Sequence, residues 1–142
     1  MHPRRKARQC VLQALYSMEI SREDKEKVLS DMLERHQLPE KNQPFVKDLF
    51  SICVDKRLWC EEKIKSYLQN WDMERVALVD KLVLVMGISE IHFLDDIPPK
   101  VTISESIEIA KEFSTEESSS FVNGILDAVY KDAEVKKTAN AD

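Results

Sequence analysis

The residues with the clearest chemical potential are four cations near the start of the chain. Positions 4 to 8 carry Arg4, Arg5, Lys6 and Arg8, with no acidic residue among them. Helical spacing of the apolar residues that follow places these cations in the first two turns of a helix. Cations oppose the helix dipole there, whereas free backbone N–H groups and guanidinium groups both attract anions. The cluster therefore predicts a site for a phosphate backbone; the alternative is a solvated terminal charge run.

Two residues further along the same predicted helix suit the recognition of bases. Gln13 and Tyr16 lie outside the apolar stripe that runs through Val11 and Leu15. An aromatic ring can stack on an unpaired base, and an amide can hydrogen-bond to a base edge. We therefore expect both residues to extend the phosphate site toward the bases of single-stranded RNA. For Tyr16 the alternative is a partly buried aromatic at the rim of the core.

The charge of the whole chain contrasts with that of its N-terminus. The 142 residues include 21 basic and 26 acidic side chains, which give a formal net charge of -5 at pH 7. This balance argues against a general affinity for nucleic acids. A basic tip on an acidic body instead suggests one local anionic ligand and a separate, basic partner.

No pattern of residues typical of catalysis or metal binding is found. The three histidines, at positions 2, 36 and 92, are widely spaced, and the chain contains no GxSxG, HExxH or CxxC motif and no glycine-rich phosphate loop. Asp95 and Asp96 precede two prolines, a pattern that favours a turn over a metal site. The sequence therefore predicts no enzyme, no metal ion and no cofactor.

The cysteines and the apolar runs indicate a cytoplasmic protein. Cys10, Cys53 and Cys60 are odd in number and form no disulfide framework, so we expect buried thiols in a reducing compartment. No secretory leader begins the chain. The longest apolar stretch, from Leu82 to Ile88, is too short to cross a membrane.

Apolar periodicity predicts an all-α fold of six or seven helices in one domain. We place this domain at residues 1–135 and a flexible polar tail at 136–142. Between Lys81 and Glu90 no residue is charged, which predicts a central helix buried on most sides. The pattern leaves open whether residues 44–70 form one helix or two.

Local motifs predict where the last helices begin. Thr102 with Glu105, and Ser114 with Glu117, have the spacing of capping boxes. Gly124 stands inside a helical pattern, where glycine is unfavourable by about 1 kcal/mol relative to alanine. Tight packing of another helix is the favoured explanation for this glycine, and contact with a ligand is the alternative.

Short motifs along nearly the whole chain resemble the bacterial NusB family. The C-terminal motif is the most specific of them. The matching stretches are Arg4–Arg8, Gln13–Tyr16, Asn70–Trp71, Glu74–Arg75, Asp96–Pro98, Lys100–Val101, Glu108–Lys111, Phe113–Ser114 and Phe121–Asp127. The chain departs from the family at Val85, where an arginine is usual, and at Ser89, where an aromatic residue is frequent.

The resemblance implies a fold of two small helical bundles packed across each other. It also implies transcription antitermination, in which the protein binds the boxA element of nascent ribosomal RNA. Binding would occur as a heterodimer with NusE, a small-subunit ribosomal protein, inside an RNA polymerase complex.

By position, the resemblance also implies which residues bind each partner. The RNA-binding residues would be Arg4, Arg5, Lys6, Arg8, Gln13, Tyr16, Ser118, Ser119, Phe121 and Asn123. The residues facing the basic NusE-like partner would be Glu74, Asp80 and Glu117.

Two other functions remain open at this point. A helical scaffold that binds only proteins would show the same fold, although it gains nothing from cations at a helix start. A stand-alone relative of the NusB-like domain found in ribosomal RNA cytosine methyltransferases is the other alternative.

Overall fold

The fold is built from seven α-helices, as given by a computed structural model that describes residues 4–69 and 72–139. Short 3-10 turns precede α3 and α5, and those two stretches contain no β-strand. The helices are α1 (Arg5–Ser21), α2 (Lys25–His36), α3 (Gln43–Asp55), α4 (Arg57–Tyr67), α5 (Leu78–Phe93), α6 (Pro99–Phe113) and α7 (Glu116–Ala139).

Helix α5 is the centre of the molecule, as its lack of charge predicts. Every residue from Leu82 to Glu90 is buried, because α5 packs against α1, α3, α4, α6 and α7. Helices α1, α2 and α3 form one bundle, and α5, α6 and α7 form the other. The expected arrangement of two small bundles packed across each other is therefore confirmed.

The predicted stretch 44–70, described as far as residue 69, contains two helices rather than one. Helix α3 ends at Asp55, and the backbone of Lys56 leaves helical geometry with φ -104° and ψ 13°. The carbonyl oxygen of Lys56 accepts a hydrogen bond from the N–H of Cys60, so α4 begins at once. Neither proline nor glycine marks the break, which explains why the sequence pattern could not locate it.

The predicted capping box of α6 is wrong. With Thr102 as cap the helix would begin at residue 103, but it begins four residues earlier, at Pro99, where a missing N–H group needs no partner. Thr102 and Glu105 lie inside the helix, where both are buried and bond to side chains of other helices.

The predicted cap of α7 is displaced by one residue. The N–H of Ser118 donates to Oγ1 of Thr115 at 3.0 Å, so Thr115 is the capping residue in place of Ser114. The hydroxyl of Ser114 instead lies 2.9 Å from the hydroxyl of Ser118.

The two glycines have opposite surroundings. A Cβ atom on Gly124 would meet nothing within 4 Å, so the expected tight packing at this residue is wrong. A Cβ atom on Gly87 would lie 2.7 and 2.8 Å from the methyl carbons of Leu126. A side chain at position 87 would therefore force the buried Leu126 of α7 to shift.

All three cysteines are free and buried, as expected. Burial raises the pKa of the Cys10 thiol to about 11, so this sulfur is protonated and a poor nucleophile at neutral pH. Burial also raises the pKa of Cys53 and Cys60, beside the hydroxyl of Ser89.

The last helix extends beyond the predicted end of the domain. Helix α7 continues to Ala139, past the expected domain boundary at 135, and residues 140–142 lie outside the described residues.

Within the described part of the chain, no helix combines the length and the hydropathy needed to cross a membrane.

Candidate nucleic-acid interface

Arg8 does not lie on the surface predicted for it. Its side chain is 1% exposed and forms two hydrogen bonds with Glu90, Nε to Oε2 at 2.9 Å and Nη2 to Oε1 at 2.7 Å. The hydroxyl of Thr102 donates to the same Oε1 at 2.9 Å. The pair therefore joins α1, α5 and α6 inside the core, and the Arg8 guanidinium is not available to RNA.

Arg5 is partly exposed and already paired. Its guanidinium binds Glu105 on α6, Nε to Oε1 at 3.2 Å and Nη2 to Oε2 at 2.5 Å. This hydrogen bonding raises the pKa of Arg5 above its ordinary value. The side chain is 23% exposed, so it reaches the surface beside the pair but is oriented by α6.

Lys6 is the exposed cation of the tip, and Arg4 beside it is half-buried. The guanidinium carbon of Arg4 lies 4.5 Å from the ring centroid of Phe45, at the start of α3. Arg8 approaches the same ring from inside the protein, at 5.3 Å. Lys6 is exposed, and none of its described neighbours forms an ion pair with it. Lys6 therefore supplies the most accessible positive charge at the start of α1, with Arg4 and Arg5 partly exposed beside it.

Gln13 is held in place by α2. Its Oε1 accepts a hydrogen bond from Nε2 of His36 at 2.9 Å. Burial is the main cause that lowers the pKa of His36, and the nearby charges of Arg35 and Lys6 lower it further. This histidine is therefore neutral at pH 7. The bond leaves the amide NH₂ of Gln13 as the group that can donate to a base edge.

Tyr16 is 44% exposed and borders an apolar groove between the two bundles. The groove encloses about 460 Å³, and Ile20 and Phe113 also line it, with Arg35 as its cation. Tyr16 thus stands more open to solvent than a rim aromatic of the core. Its spacing on α1 places it on the same face as Lys6 and Gln13.

The serines predicted to bind RNA are internal. Ser118 and Ser119 are both buried. Ser118 donates to Oδ2 of Asp80 at 2.8 Å, and Ser119 donates to the carbonyl oxygen of Glu116 at 2.6 Å. Both hydroxyls are thus engaged within the protein at the start of α7, although Ser118 also lines the cavity described next.

A second cavity, of about 260 Å³, lies at the start of α5 and α7. Glu117 and Phe121 line it together with Arg75 and Asp80. Asp80 is buried, and its Oδ1 has no hydrogen-bond partner among the described residues. The structure therefore brings two predicted partner residues, Asp80 and Glu117, together with a predicted RNA residue, Phe121.

The remaining predicted residues, Asn123 and Glu74, do not line this second cavity. Asn123 is exposed on α7, two residues beyond Phe121. Glu74 is exposed on the 3-10 turn before α5 and lines a different depression. Val79 lines the groove beside Tyr16, whereas the adjacent Asp80 lines the second cavity, so the start of α5 lies between the two.

Sequence reasoning missed three residues that complete these surfaces. Phe45 supports Arg4, and Arg35 and Phe113 line the groove beside Tyr16. All three lie on helices other than α1. Periodicity shows which face of its own helix each residue occupies, but not that this face lies beside α1. Among the described residues, no group of three or more His, Cys, Asp or Glu side chains could hold a metal ion.

Comparisons with known proteins agree on one family. The model of the NusB family matches residues 5–131. The chain is 44% identical over 134 residues to the transcription antitermination protein NusB of Methylacidiphilum infernorum, an alignment that covers 94% of each protein. Its fold is similar to that of NusB from T. maritima, with a TM-score of 0.84, 37% identity and 92% of each chain covered.

A more distant solved structure shares the fold. It contains antitermination factors NusB and NusE in complex with double-stranded RNA. The TM-score is 0.83 at 23% identity, and the match covers 92% of this chain and 98% of the other.

Proposed function

Because this chain belongs to the NusB family, we propose that it is a transcription antitermination factor that binds single-stranded boxA-like RNA together with a NusE-like ribosomal protein. The observation that carries the proposal is the outward face of α1. On that face Lys6, Gln13 and Tyr16 offer a cation, an amide and an exposed ring in succession. A single strand of RNA presents phosphates and unpaired bases to match them.

In this proposal, each residue on the α1 face contacts a different part of the RNA. Arg4 and Lys6 bind phosphates, and Arg5 adds charge beside them while Glu105 fixes its orientation. Gln13 donates its amide NH₂ to a base edge, and Tyr16 stacks on a base. Phe121 and Asn123 extend the surface from α7.

The NusE-like partner is proposed to bind at the cavity of α5 and α7. Glu117, which is exposed, and Asp80, whose buried Oδ1 has no hydrogen-bond partner among the described residues, both line it. A lysine or arginine from a basic protein would satisfy both carboxylates. A distant relative of the same fold is bound to NusE, which supports a partner of this type. Exposed Glu74 adds negative charge nearby.

The protein is proposed to act by binding alone, in the cytoplasm, where RNA is transcribed, as one part of an RNA polymerase complex. The scaffold alternative accounts for the cavity of α5 and α7 but not for the exposed cations, amide and ring of α1. A titration with RNA therefore separates the two functions.

Removal of the positive charges of Arg4 and Lys6 should weaken RNA binding. The variant with Arg4→Gln and Lys6→Gln should bind a boxA-like single strand less tightly at low salt. The slope of log affinity against log salt should become shallower by about 0.7 for each phosphate that the variant no longer neutralises. Fluorescence anisotropy at several salt concentrations measures both quantities.

The matched control removes a lysine elsewhere. Lys27 is exposed on α2 and paired with Glu23 and Asp31. Lys27→Gln should leave the slope unchanged. An unchanged slope in the Arg4 and Lys6 variant as well would favour the scaffold function over RNA binding.

Charge reversal at the second cavity should affect the protein partner more than RNA. Glu117→Lys is expected to slow association with a NusE-like protein, and the effect should shrink as salt rises, because exposed charges act through screened attraction. Glu116→Lys, at an exposed neighbour that does not line the cavity, is the control. Surface plasmon resonance with each ligand gives the comparison, and equal losses for RNA and protein would contradict the assignment.

A further inference from the structure

A cation, an aromatic ring and a second cation follow one another along one side of α4 and its N-terminal boundary. Lys56 is the residue directly before α4, and Trp59 and Lys63 follow it at spacings of three and four residues. Trp59 is 41% exposed, which is unusual for so large an apolar ring. We call these three residues the α4 stripe. None of the functions assigned above uses it.

The ring of Trp59 is held in a fixed orientation. His92 and Phe93, at the end of α5, contact it in edge-to-face geometry, with ring centroids 5.0 and 5.3 Å away. The ammonium of Lys63 lies 5.7 Å from the Trp59 centroid, and that of Lys56 lies 5.5 Å from the Phe93 centroid. An immobilised ring loses little side-chain entropy when a ligand stacks on it.

Positive charge accumulates on one side of the stripe. Burial and the neighbouring charge of Lys136 lower the pKa of Lys63. Asp132 is the acid that faces Lys63, but its carboxylate also accepts a hydrogen bond from the hydroxyl of Tyr67. An anionic ligand between Lys63 and Lys136 would relieve their repulsion.

Helix α3 connects the stripe to the basic tip. Arg4 covers Phe45 at the start of α3, and Lys56 follows directly after its end. The 11 residue steps from Phe45 to Lys56 correspond to about 16 Å along the helix. A few nucleotides of extended RNA cover such a distance.

We propose that the α4 stripe is a second contact for the single-stranded RNA that binds α1, with one base stacked on Trp59 and the adjacent phosphates on Lys56 and Lys63. This inference rests on the proposed function. Alternation of base and phosphate along a single strand matches the alternation of ring and cation along α4. An acidic protein would use the lysines but would gain less from an exposed indole.

The test compares two RNAs that differ only in length. The short probe is the boxA-like element alone, and the long probe adds a run of uridines at each end. Trp59→Ala should bind the long probe at least about fivefold more weakly, as expected for the loss of one stacked base, and should bind the short probe normally. Lys63→Gln should flatten the salt slope for the long probe only.

Two matched controls lie on the same helix. Leu58→Ala removes an apolar side chain that is 79% exposed, and Lys65→Gln removes an exposed lysine paired with Glu62. Both should bind each probe as the original chain does. If Trp59→Ala lowers the unfolding temperature, Lys63→Gln still tests the stripe with the ring in place, and Trp59→Phe, which retains a stacking ring, should bind the long probe nearly normally.

The outcomes separate this inference from the proposed function. Failure of the original chain to bind either RNA would contradict the proposed function itself. Tight binding of the short probe with no effect of the Trp59 or Lys63 variants on the long probe would overturn the stripe alone. Polyglutamate can be added as a competitor of the long RNA probe. If it displaces the probe, and if its binding depends on Lys63 but not on Trp59, the stripe would be assigned to an acidic protein and the proposal overturned.

Discussion

Replacement of Arg8 by alanine should lower the free energy of unfolding by about 3–5 kcal/mol. The change leaves the carboxylate of Glu90, itself 1% exposed, without its cation in the core. Among the residues that the structure describes, only Thr102 then remains to hydrogen-bond to that carboxylate. Urea denaturation followed by circular dichroism measures the loss, and a decrease below about 1 kcal/mol would show that water or another group compensates Glu90.

Two further variants test the cause of this loss. Arg5→Ala should be milder, because the Arg5 side chain is 23% exposed and water can replace part of its pairing. The double variant Arg8→Met with Glu90→Leu removes both charges together and should recover most of the stability. Failure to recover would indicate that packing around the long side chains, rather than the unpaired charge, is responsible.

Replacement of Tyr16 by alanine should weaken the affinity for a boxA-like single strand by about 1–3 kcal/mol, or roughly 5- to 150-fold. The ring is 44% exposed, so its removal should leave the thermal unfolding temperature nearly unchanged. The salt slope should stay the same, because the cations that bind phosphates are all retained. Anisotropy titrations at two salt concentrations measure affinity and slope together.

Controls for Tyr16 distinguish the ring from its surroundings. Tyr16→Phe retains the ring and should bind normally. Ile20→Ala removes an exposed apolar neighbour in the same groove and should have a small effect. If Tyr16→Ala binds RNA as tightly as the original chain, the base-stacking role fails, and the RNA surface is limited to the cations.

Most helices could be predicted from the sequence, because each helix has its own periodic spacing of apolar residues. The uncharged run between Lys81 and Glu90 identified the central helix, and its burial is confirmed. No proline or glycine marks the end of α3 at Asp55. The break is therefore seen only in the structure, where α4 packs against α5. Thr102 and Glu105 had the spacing of a cap, although both are used for contacts between helices.

The candidate site was less predictable, because exposure depends on residues far away in the sequence. Charge and position made Arg8 resemble Arg4, but its partner Glu90 is 82 residues distant. Ser118 likewise bonds to Asp80 across 38 positions. Local spacing does indicate which face of α1 is polar, and for that reason Lys6 and Tyr16 were found at the surface as expected.

Because Arg8 is buried, substitutions of the four basic residues at positions 4–8 fall into two classes with different consequences in a cell. Loss of several kcal/mol from a marginally stable domain increases the unfolded fraction, which proteases then remove. Arg8 variants should therefore be scarce, whereas Arg4 and Lys6 variants should accumulate normally. A genetic screen for defective antitermination would recover both classes, and only immunoblots of protein abundance would distinguish a degraded protein from an intact one that no longer binds RNA.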